Sequence, residues 1–188
     1  MPLQDVYVCH CGEAPMRLQM MRLCVKRWEM EPSTRVTLYH AQNMSGADFQ
    51  RYRRMRAENA SHNPYYVVAD DDCLIPGLQP FLMPAYSIMD RYPEFAILAP
   101  WPMESSIRAW EPENYTPFVN DDVEEHVSVG GIRIMRKGAM KEWPEIPGNH
   151  PWYDAIQADY LRMNGFKVGF LKNFQMIHLG HKMCSLKA

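Results

Sequence analysis

The 188-residue chain lacks any uninterrupted apolar run of bilayer-spanning length, which excludes a hydrophobic transmembrane helix. Its opening, MPLQDVYVCHCGE, has no basic start followed by an apolar core, so it does not read as a secretory signal. Cysteine is sparse and odd in number, five in all, and no Cys-x-x-Cys pair occurs. Reduced thiols in a cytoplasmic setting are the simplest account. Net charge is also scarce, at −2, which argues against a generic nucleic-acid coat. There is no internal repeat, no low-complexity tract and no Gly-rich basic loop of the kind that cradles a triphosphate. What remains is 47% hydrophobic and 22% charged, the composition of one ordinary globular domain.

The first 70 residues alternate in type. DVYVCHC reads as a strand, with Val6 and Val8 alternating against Tyr7 and Cys9. Residues 14–30 follow as a helix, because Met16, Met20, Leu23, Cys24 and Trp28 recur at helical spacing. RVTLYHA is a second strand, residues 45–60 a polar, Arg-rich helix, and Tyr65 to Ala69 a third strand. Such alternation predicts an α/β fold with a mostly parallel central sheet flanked by helices. Beyond it the pattern predicts a helix over 78–92, a strand in EFAILAPWP and a Pro- and acid-rich loop over 103–126. Then come a strand in HVSVGGIRIMRK, a helix over 152–164, the strand KVGFLKN and the close FQMIHLGHKMC. Arg51, Arg53, Arg54 and Arg56 wrap around the second helix, which reads as a solvated surface rather than a polyanion site.

The third strand ends in three acids, Asp70, Asp71 and Asp72. Adjacent carboxylates repel, and the repulsion costs stability unless a cation offsets it. In a parallel sheet the carboxyl ends of the strands are where ligands bind. A divalent ion on Asp70 and Asp72 is therefore one reading; a solvated turn completed by Pro76-Gly77 is the other.

Three stretches together resemble the GT-A glycosyltransferases, particularly the inverting family 2: RAENASHNPYYVVADDD, VSVGGIRIMRKGAMKEWPEIPG and YDAIQADYLRMNGFKVGFLKNFQMIHLGH. The resemblance implies a single GT-A-like domain over 1–188, Rossmann-like in its N-terminal half. Residues 1–100 would bind a nucleotide-diphosphate sugar, and 101–188 would bind the acceptor and carry catalysis. It implies Mn²⁺ or Mg²⁺ on Asp70, Asp72 and His178, in the manner of a D-x-D motif, with His181 competing for the histidine role. It also implies His10, His40, Arg56, Asp70, Asp71 and Gly131 around the donor, and Asp154 as the general base of an inverting transfer. Three departures stand out: CHCGEA closes the first strand, His40 occupies the position of the family's base-reading acid, and Tyr153 precedes Asp154 where the family often has Glu.

Each residue also has a plainer reading. Asp154 suits a helix start by capping and dipole alone. Gly130 and Gly131 suit a bulge, and Trp152 and Tyr153 suit either a sugar-stacking wall or core. Rival functions are a zinc-stabilised interaction domain using Cys9-His10-Cys11 and His178, His181 and Cys184, a metal-dependent nucleotidyltransferase, and a degenerate transferase fold. The acceptor is open: a glycan, a metabolite, a protein or a modified nucleic-acid base. Oligomeric state is unread.

Overall fold

The computed structural model describes residues 3–10, 15–40, 46–103, 115–145 and 153–179. Strand β1 (Gln4–His10) is followed by helix α1 (Pro15–Glu29), β2 (Thr34–His40), α2 (Gly46–Ala60) and β3 (Tyr65–Asp70). After these come β4 (Cys73–Leu74), α3 (Leu82–Arg91), β5 (Phe95–Pro102), β6 (Val123–Glu125), β7 (Ile132–Arg136), α4 (Tyr153–Met163) and β8 (Lys167–His178). The sheet runs β2-β1-β3-β7-β5-β8-β4, with β6 also on β8. Pairings make β2, β1, β3, β5 and β8 point one way, while β7 runs antiparallel between β3 and β5.

Strict alternation on the central strands explains the layers. Val6, Val8, Tyr65, Val67 and Ala69 point to one face, against Trp28 of α1 and Leu82, Ala85 and Met89 of α3. Tyr7, Cys9, Tyr66 and Val68 point to the other, against Phe49 and Ala57 of α2 and Ala158 and Leu161 of α4. A strand buried on both faces must be apolar throughout, and β3 is fully buried until Asp70.

The expected elements form with shifted ends. The helix expected over 78–92 starts only at Leu82, because Pro80 lies ahead of it and Pro84 fits its first turn. The loop expected over 103–126 hides β6, whose Val123 pairs with Leu171. The strand expected in KVGFLKN continues to His178, where its end pairs with β4. Among the described residues, no helix is long and apolar enough to cross a membrane.

Candidate active site

The co-directed strands bring their carboxyl ends to one edge: His10 of β1, His40 of β2, Asp70 of β3 and His178 of β8. β7 runs the other way, so its first residue, Ile132, sits at that same edge, opposite Ala69. Gly130 and Gly131 thereby fall beside the three acids.

Those acids part in three directions. The Asp70 carboxylate takes Arg53 Nη2 at 2.5 Å and Arg133 Nη2 at 3.5 Å. Burial pushes this carboxyl up, but the Arg53 and Arg133 charges outweigh it and hold the group well below the usual carboxylate range. Asp71, fully buried, accepts from His10 Nδ1 at 2.6 Å and from Arg17 Nη2 at 2.6 Å. Asp72 turns the third way, its Oδ1 lying 3.3 Å from His178 Nε2. The backbone fixes that meeting: Cys73 lies opposite His178 in the β4–β8 ladder, and Leu179 N donates to the Asp72 carbonyl at 2.7 Å.

Asp154, in the first turn of α4, points back to this edge. Its Oδ1 accepts from Arg54 and lies 2.9 Å from Arg133 Nη2, so Arg133 joins Asp154 to Asp70. Burial raises the Asp154 carboxyl, yet Arg133 and Arg54 together lower it below its ordinary value. The same crowding acts on Arg54. Burial and then the like charge of Arg133 bring its guanidinium down to about 10, so it remains a cation at neutral pH. Asp154 Oδ2 faces Gly130, where an added Cβ would sit 3.4 Å away.

Asp72, His178, Asp70, Asp71, His10 and Asp154 therefore share one edge. Exposed His40 presents its ring to His10, edge to face, with centroids 5.4 Å apart. Arg56 behaves differently, lying exposed over the rings of Tyr39 and Tyr52 with Nη1 on the Tyr52 hydroxyl. Gly131 serves packing within the chain: its φ is +74°, and a Cβ there would meet Met176 at 2.9 Å and Cys73 Sγ at 3.0 Å. Tyr153 is buried with the Arg54 guanidinium over its ring, the core reading of that residue. Trp152, His181, Cys11 and Cys184 lie outside the described residues.

The solvated reading of the arginine stretch is overturned for two members. Arg53 and Arg54 are 2% and 0% exposed and reach inward to the acids. The sequence carries a signal for Arg53: Phe49, Arg53 and Ala57 lie at i, i+4 and i+8, one buried stripe. Arg17, Arg133 and Cys73 also escaped sequence reasoning.

Asp72, Cys73 and His178 offer a carboxylate oxygen, a thiol and an imidazole nitrogen within 4.8 Å of one another. Burial, with the Asp70 and Asp72 charges, pushes the Cys73 thiol well above its ordinary value, which makes the protonated thiol a weak ligand. The carboxylate and imidazole are ligand types that fit Mn²⁺. Asp70 is neutralised by arginine and contributes less to such a centre.

Fold and edge together define a GT-A-like architecture. No protein-family model matches the chain, and no curated protein does. Among solved structures it is similar to "GalNAc-T7 with UDP, GalNAc and Mn2+", at TM-score 0.64 and 9% identity over 94% of this chain and 43% of that one. It is similar also to a glycosyltransferase "involved in the glycosylation of the major capsid of PBCV-1", at TM-score 0.56 and 12% identity over 93% and 94%. A third likeness is the inositol-1-phosphate CTP transferase from T. maritima, at TM-score 0.56 and 14% identity over 95% and 89%. The chain thus spans less than half of GalNAc-T7. Likeness at these identities establishes the fold and leaves the chemistry to the residues.

Proposed function

We propose that the chain is a metal-dependent glycosyltransferase that moves a sugar from a nucleotide-diphosphate donor to an acceptor hydroxyl with inversion. One observation carries the reading. Asp72 and His178, far apart in sequence, meet at 3.3 Å on the ligand-binding edge that also holds Asp154. Asp72 and His178 would hold Mn²⁺ or Mg²⁺, which supplies positive charge against the charge growing on the leaving diphosphate. His10, kept in place by Asp71, and His40 close the first two strands, where the nucleoside would lie. Asp154 is the general base. Arg54 and Arg133 anchor its Oδ1 and keep it ionised, so Oδ2 can accept the proton of an incoming hydroxyl beside Gly130. Attack opposite the nucleotide inverts the anomeric centre, an outcome that rests on the family resemblance. The acceptor is a glycan, a metabolite, a protein or a modified base.

A second reading, a metal-dependent nucleotidyltransferase, is favoured by the likeness to the CTP transferase. Thermal-shift titration of the protein with UDP, GDP and CTP, with and without Mn²⁺, separates the two. The transferase reading expects Mn²⁺-dependent stabilisation by a nucleoside diphosphate that vanishes in Asp72→Ala. Stabilisation by CTP alone supports the second reading, and unchanged diphosphate binding in Asp72→Ala removes the first.

A further inference from the structure

We propose that Cys73 is the third ligand of the Asp72–His178 centre for thiophilic divalent ions, Zn²⁺ or Co²⁺. The inference rests on the reading above only in taking Asp72 and His178 as a metal-binding pair. Three features of the chain carry it.

The first is separation. Zinc at ordinary distances from oxygen, nitrogen and sulfur, in tetrahedral geometry, sets its donors about 3.3–3.6 Å apart. Asp72 Oδ1 lies 3.3 Å from His178 Nε2 and 3.7 Å from Cys73 Sγ, and all three donors fall within 4.8 Å. The second is rigidity. Cys73 and His178 are directly opposed across the antiparallel β4–β8 pair, a relation that brings side chains together on one face. The third is room. The sulfur occupies space that a Cβ at residue 131 would take, and Gly131 leaves it clear.

The donor set then sorts metals. Mn²⁺ is satisfied by oxygen and imidazole and does not draw on sulfur. Zn²⁺ and Co²⁺ bind such sites more tightly and favour sulfur. When one of them binds, the metal–sulfur bond forms as the Cys73 S–H bond breaks, and the proton leaves to solvent. No electron is exchanged. The same centre thus takes Mn²⁺ through two side chains and Zn²⁺ or Co²⁺ through three, so Zn²⁺ displaces Mn²⁺ and is retained.

Titration of the metal-free protein with Co²⁺, read by absorption spectroscopy, tests this independently of turnover. A thiolate-to-cobalt charge-transfer band is expected in the near ultraviolet, with one proton released per ion. Both should be absent in Cys73→Ser. That variant should bind Zn²⁺ more weakly, by on the order of 100-fold, while its Mn²⁺ binding by electron paramagnetic resonance is unchanged. Co²⁺ binding without the band, or a band that persists in Cys73→Ser through another cysteine, overturns the role of Cys73 and leaves the Asp72–His178 pair standing. Binding of neither Co²⁺ nor Mn²⁺ overturns both. Circular dichroism of Cys73→Ser guards against misfolding, and Cys73→Ala serves as a second variant with the same expectations.

Discussion

Asp70 and Asp72 are two residues apart and live in opposite electrostatic settings. Asp70 is neutralised within the chain: Arg53 and Arg133 bracket it, and Arg133 and Arg54 extend the network to Asp154. Among the described residues, Asp72 has the His178 imidazole at 3.3 Å and Arg17 Nη2 at 3.9 Å. The contrast teaches how one run of three acids is tolerated. Internal arginines hold one end in place, buried His10 with half-buried Arg17 holds the middle, and the far end meets His178.

The comparison predicts unequal costs. Arg53→Met strips the locked end of a buried partner and should destabilise the fold by roughly 3 kcal/mol in urea unfolding, because the half-buried Asp70 carboxylate loses its closest cation. Asp72→Ala, at the other end, should change stability by less than about 1 kcal/mol. Equal losses would erase the distinction.

Acid sharpens it next. Asp70 and Asp154 are held below their ordinary value of 3.8 in the folded state, so they bind protons more readily when unfolded. Their contribution is fully present above that value and is lost as pH falls through it towards the folded values. Urea unfolding between about pH 5 and about pH 2 should show a steep loss that flattens in Asp70→Asn. An unaltered slope would mean that the network does not store this linkage.

Much of this was legible before any coordinates. Alternation in DVYVCHC and the apolar run before Asp70 define two strands, because central strands bury both faces and tolerate few polar residues. The pairing of Asp72 with His178 is legible only through the family resemblance, since no local rule joins the end of β3 to the end of β8. Arg53 and Arg54 were misread because adjacent arginines look alike in sequence, while burial is decided by which helix face meets the sheet. β4 has two residues and β6 three, so their pairing with β8 is set by tertiary contact rather than propensity.

Two smaller tests probe each end. Gly131→Ala drives a methyl towards Met176 and Cys73 at a positive φ, and should cost about 1–3 kcal/mol in thermal unfolding. Its effect should centre on the Asp72–Cys73 corner, seen as weakened Co²⁺ binding. Arg56→Ala, in the same arginine stretch yet exposed over Tyr39 and Tyr52, should cost only about 0.5–1 kcal/mol. A loss as large as that of Arg53→Met would refute the division of that helix into buried and solvated arginines.

The most direct measurement is anomalous diffraction at the manganese edge from crystals soaked with Mn²⁺ and either UDP or GDP. The account predicts one manganese peak between the Asp72 carboxylate and the His178 imidazole, with the diphosphate seated on it and Asp154 Oδ2 facing the opposite side of the donor site. A peak elsewhere on the molecule, or a diphosphate bound away from this edge, would contradict it.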